Sequence, residues 1–114
     1  MQYLITIYGN HESWAALTDA DIEIRDAAHA AVFTSLEASG ELIGGRELAV
    51  IGSKTVRRSN GAVHVIDGPF TEGREIVGGY YIVECVNIDR AVEIAGQLTE
   101  ADYAPIDVRP ILGT

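Results

Sequence analysis

The chain has 114 residues and a mass of 12.2 kDa, a length that suits one domain over residues 1–114, with a single core. Hydrophobic residues make up 47% and charged residues 22%, which excludes disordered, collagenous and coiled-coil chains. Net charge is −9, and nothing basic clusters beyond Lys54, Arg57 and Arg58, so no nucleic acid and no membrane surface is expected as a partner.

Leu4 to Tyr8, bounded by Gly9-Asn10, reads as a first strand. His11 to Leu17 reads as a loop. Thr18 is a helix N-cap, with Asp21 three residues on as a short capping box. The helix is expected over Asp19 to Ser39, with Gly40 as its stop. Setting Ile22 at zero on the helical wheel puts His29 at about −20°, Phe33 at about +20° and Leu36 at about −40°. His29 thus lies within the apolar stripe. Glu41 to Val50 reads as a strand interrupted by Gly44-Gly45. Thr55 to Ser59 and Ala62 to Ile66 flank Asn60-Gly61, the strongest short hairpin signal. Asp67-Gly68-Pro69-Phe70 is a turn segment. Ile76 to Val86, broken by Gly78-Gly79, reads as a buried central strand. Asn87 caps a second helix with Ile88, Ala91, Val92 and Ala95 on one face. Ile106 to Leu112 closes the chain as a strand.

The order β-α-β-hairpin-β-α-β is the ferredoxin-like α+β arrangement, with two helices on one face of an antiparallel sheet. Along the central strand, Tyr80, Ile82 and Val86 point one way, while Tyr81, Val83 and Cys85 point the other. Both sets are mostly apolar, and two helices cover one face. The other face is expected to meet a second subunit, as a homodimer. Cys85, the single cysteine, reads as a core residue. Met1 to Thr6 lacks the basic start of a leader, so a cytoplasmic location is expected.

Asp67-Gly68-Pro69-Phe70-Thr71-Glu72, then Arg74-Glu75 and Gly78-Gly79-Tyr80-Tyr81-Ile82-Val83-Glu84, resemble the YCII-related family, in its Asp-Gly-Pro-Phe branch. Tyr3 to Gly9, Trp14, Ala28-His29-Ala30 and Gly44-Gly45 agree with it. The resemblance implies a dimeric α/β barrel and an active site built from a helix histidine and an aspartate. It also implies a genetic link to extracytoplasmic-function sigma factors, and hence a sigma factor as an alternative partner. Arg74 stands where lysine is common, and Gly73 where serine or threonine is common.

His29 has two readings. It is a core histidine bonded to backbone or water, or a general acid–base, since an imidazole in an apolar stripe costs stability unless paired. Asp67 is either a turn aspartate bonding its own backbone or the carboxylate that orients His29. The paired glycines mark bulges or a close approach, not a phosphate loop. Tyr8, Arg46, Phe70 and Tyr81 are candidate substrate-binding residues, and Arg109 could line the same cleft. Arginine suits a carboxylate or other anion. His11 and His64 read as surface residues. The histidines have no metal-ligand spacing, so no metal and no cofactor are expected. No serine has a Gly-x-Ser-x-Gly context.

The expected function is His29–Asp67 acid–base chemistry on a small molecule: isomerisation, elimination or proton abstraction on an aromatic or carbonyl compound. The alternative is a non-catalytic ligand-binding or regulatory module. An enzyme would keep an open cleft with His29 reachable by solvent. A protein-binding module would seal His29 and expose an apolar patch elsewhere.

Overall fold

The chain runs through β1 (Gln2–Gly9), α1 (His11–Ala15), α2 (Asp19–Ser39), β2 (Leu42–Glu47), β3 (Lys54–Ser59), β4 (Ala62–Asp67), β5 (Ile76–Glu84), α3 (Ile88–Ala95), a 3-10 turn (Thr99–Asp102) and β6 (Ile106–Pro110). This computed structural model describes residues 1–70 and 75–114. Thr71, Glu72, Gly73 and Arg74, part of the stretch that carries the resemblance, lie outside the described residues.

Four strands form an antiparallel sheet in the order β2-β5-β1-β6. That order, with helices crossing between β1 and β2 and between β5 and β6, is the ferredoxin-like topology. Strand parity decides the layers. Tyr3, Ile5 and Ile7 of β1 and Tyr81 and Val83 of β5 are buried with Val32 and Leu36 of α2 and Ala91, Ile94 and Ala95 of α3. Cys85 joins this core, and burial raises its thiol pKa. On the other face Leu4, Tyr80 and Ile82 are half-buried and Thr6 is buried.

The expected bounds of α2 are met. Thr18 accepts from the Asp21 amide at 3.1 Å, and Asp21 accepts from the Thr18 amide at 2.9 Å. Two first-turn donors are thereby satisfied. Gly40 ends the helix in the left-handed conformation, where a Cβ would be strained. Asn87 likewise caps α3 by accepting from the Arg90 amide at 3.0 Å.

The expected loop at 11–17 contains a short helix instead. Asn10 and Ser13 form a reciprocal capping box, a signal as good as that of Thr18. Helix α1 carries Trp14 to the sheet, where a Cβ at Gly9 would overlap the indole and one at Gly78 would lie 3.1 Å from it. Asn60 and Gly61 both have positive φ, as the expected two-residue turn requires. The β3–β4 ribbon it closes forms a sheet of its own, apart from the main one. Among the described residues, no helix is long and apolar enough to cross a membrane.

Candidate functional site

His29 sits in the middle of α2, and 21 residues of regular helix fix the direction of its Cβ. The inner stripe runs through half-buried Arg25 and His29 and buried Val32 and Leu36, with Phe33 at its exposed edge. The imidazole therefore points at the sheet, where Tyr81 of β5 shares the face of Val83. The Tyr81 hydroxyl and Nδ1 of His29 are 2.7 Å apart, and the planes of the two rings are nearly parallel, 7° apart. On the other side of the ring, Oε2 of Glu100 lies 2.6 Å from Nε2. Glu100 comes from the 3-10 turn after α3. Its oxygen Oε1 is buried without a hydrogen-bond partner among the described residues. His29 is thus the group that compensates this carboxylate.

These three residues border a cavity of about 420 Å³, within the range of small-molecule sites. Trp14, Phe33 and Tyr103 give it aromatic walls, and Gly45, Gly78 and Gly79 lie in its lining. Gly45 pairs with Tyr81 across β2 and β5. A Cβ there would lie 2.9 Å from the Tyr80 carbonyl oxygen and 2.9 Å from the Tyr81 ring. The paired glycines read from sequence therefore serve both the bulge of β2 and the cavity. Burial raises the Tyr81 pKa from its ordinary 10.0, and the Glu100 charge pushes the same way. Tyr103 is raised by the same two causes in the same order.

Of the residues singled out in sequence, His29, Tyr8, Arg46 and Tyr81 border this cavity. Arg46 donates to the Gly45 carbonyl at 2.9 Å. Phe70 is 59% exposed and lies under the Arg57 guanidinium, 5.7 Å from its ring centre. Arg109 is exposed and faces Asp107 at 3.5 Å.

The expected contact between His29 and Asp67 is not made. Asp67 ends β4 opposite Lys54 in the ribbon register, and the two side chains pair at 2.5 Å with the carboxylate 88% exposed. The position beside the His29 ring is taken by Glu100 and Tyr81. Glu100 had no local signal: one more carboxylate among 17 acidic residues, in a stretch without periodicity. Tyr81 did have one, because its parity with Val83 aims it at the helical face. Among the described residues, no cluster of metal-ligand side chains is present.

The sequence model of the YCII-related domain matches residues 1–112. The chain is also 34% identical over 68 residues to an uncharacterized protein of Rhizobium meliloti, a match that covers 58% of this chain and 55% of that protein. The chain therefore spans about half the length of that relative. By the first match, this chain belongs to the YCII-related domain family.

Proposed function

We propose that this YCII-related chain moves a proton to or from a small aromatic or carbonyl compound held in the cavity. Tyr81, His29 and Glu100 act as one chain of hydrogen bonds. The observation that carries this reading is that both ring nitrogens of His29 are engaged, one by a carboxylate and the other by a hydroxyl bordering the cavity.

With Glu100 ionised, Nε2–H donates to the carboxylate. Nδ1 is then an acceptor for the Tyr81 O–H. The Tyr81 oxygen keeps a lone pair for a substrate proton. As it takes that proton, its own passes to Nδ1, and Glu100 stabilises the imidazolium that forms. Reversal returns the proton to a different atom of the substrate, which makes an isomerisation; loss of a leaving group instead makes an elimination. Burial disfavours a free phenolate, which favours transfer to Tyr81 together with transfer to His29.

His29 retains 25% side-chain exposure, which favours a site that small molecules reach. A small-molecule thermal-shift screen on the purified protein, repeated with His29→Ala, tests the reading. Compounds that stabilise the parent and lose their effect in the variant support it. Compounds that stabilise both equally bind elsewhere and contradict it.

A further inference from the structure

Two polar atoms beside the cavity take no part in the chain of hydrogen bonds from Tyr81 to Glu100. Oε1 of Glu100 and the Tyr103 hydroxyl are both buried, and neither has a hydrogen-bond partner among the described residues. Glu100 as a whole is 8% exposed. A buried polar atom left unpaired is costly, so each calls for a partner. Thr99 Oγ1 and Asp107 Oδ1 are unpaired as well, but their residues do not line the cavity, whereas Glu100 and Tyr103 do. Local structure puts these two on one side. Residues three apart share a face of a 3-10 turn. Tyr103 closes the turn that carries Glu100, and its amide donates to the Glu100 carbonyl at 3.1 Å. Burial, and then the Glu100 charge, raise the Tyr103 pKa above its ordinary 10.0. The phenol therefore keeps its proton near neutrality and is a donor, while an ionised carboxylate oxygen only accepts.

We propose that Glu100 Oε1 and the Tyr103 hydroxyl form a recognition subsite for a hydroxyl group of the ligand, which makes that ligand a hydroxylated aromatic or carbonyl compound. The inference rests on the cavity being the ligand site, as in the proposed function, and adds the class of compound. A hydroxyl meets both atoms with one oxygen: its O–H donates to Oε1 and its lone pair accepts from Tyr103. A carboxylate would face the charge of Glu100. An ammonium offers Tyr103 no acceptor, and a methyl group leaves both atoms unpaired. Glu100 thus divides its oxygens, with Oε2 on the His29 ring at 2.6 Å and Oε1 on the ligand. A site built to bond a hydroxyl rejects the analogue that lacks it, because its own buried polar groups then stay unpaired.

The test is a ligand-observed NMR titration of the full chain with meta- and para-hydroxyacetophenone and the matching methylacetophenones. At least one hydroxyl probe should bind about tenfold or more tightly than its methyl counterpart. Tyr103→Phe keeps the aromatic wall and removes only the hydroxyl, so it should weaken the hydroxyl probe and abolish the preference. Removing an unpaired buried hydroxyl should not lower the melting temperature, and a circular-dichroism melt checks this. Equal binding within each pair, no binding of either hydroxyl probe, or a preference that survives in Tyr103→Phe would overturn the proposal. A clear fall in melting temperature would also overturn it, by showing that the hydroxyl already has a partner. The titration reads binding and not proton transfer. Failure of the proton relay would leave a hydroxyl preference standing, and binding without that preference would remove the subsite and leave the relay standing.

Discussion

Glu100 and His29 lie 71 positions apart in sequence, and their side chains meet at 2.6 Å. The carboxylate is 10% exposed, so it depends on this contact. His29→Leu strands it and should cost about 1–3 kcal/mol in urea denaturation. The double variant His29→Leu, Glu100→Leu removes both polar groups and should recover much of that loss. Additive losses would mean that the two residues do not interact.

The tautomer of His29 follows from the same contact. In the neutral ring the proton should reside on Nε2, facing Glu100, with Nδ1 accepting from Tyr81. Nitrogen-15 NMR of the ring reads this directly. Tyr81→Phe should shift Nδ1 and leave Nε2 nearly unchanged, and Glu100→Gln should do the reverse. A proton on Nδ1 in the parent would contradict the arrangement.

Gly45→Ala should disturb the site without touching a polar group. The new Cβ would lie 2.9 Å from a backbone oxygen of the neighbouring strand, and the Tyr81 ring is as close. The ring is the part that can yield, and in yielding it moves its hydroxyl off His29. The Nδ1 resonance should therefore shift as it does in Tyr81→Phe. A normal Nδ1 signal in a folded Gly45→Ala protein would show that the close approach does not position Tyr81.

Arg90 of α3 holds Glu41 through hydrogen bonds of 2.8 and 3.0 Å. The Glu41 carboxyl is pulled from its ordinary 4.5 to about 2, chiefly by these bonds. Its folded value lies below its unfolded one, so the contribution is complete above about pH 4.5 and is lost as pH falls toward 2. Arg90→Ala should destabilise by about 1 kcal/mol near neutrality. Denaturation curves should show that difference shrinking at about pH 3. A difference that stays constant with pH would rule the ion pair out as its source.

Leu36 is 1% exposed, and its neighbour Glu37 is exposed. Leu36→Asp should abolish cooperative folding by burying an unpaired charge. Glu37→Ala should stay within about 0.5 kcal/mol of the parent. Circular-dichroism melts compare them, and equal effects would contradict the assigned face of α2.

Features with local causes were readable in the sequence. Thr18, Asp21 and Gly40 bound α2, and Asn60-Gly61 closes the ribbon, because caps and turns are contracts among near neighbours. The wheel that placed His29 on the inner face also holds, although Arg25 and Val32 share the stripe and Phe33 lies at its edge. The contacts of His29 were not readable, because they depend on where two distant elements arrive. The Asp67-Gly68-Pro69-Phe70 segment has a distinctive turn composition, while Glu100 sits in an acidic stretch with no pattern of its own. The capping box of Asn10 and Ser13 is a local signal for α1, but a five-residue helix has too few turns to show periodicity.

The most direct test of proton transfer is hydrogen–deuterium exchange in D₂O, followed by proton NMR on the compounds that stabilise the protein in the thermal-shift screen. The parent should wash deuterium into an acidic position of a bound compound. His29→Gln and Tyr81→Phe should each slow this by about 100-fold or more, the loss of a general acid–base group. Bound compounds that exchange no faster than in buffer, or equally fast with His29→Gln, would contradict the account and leave the cavity a binding site alone.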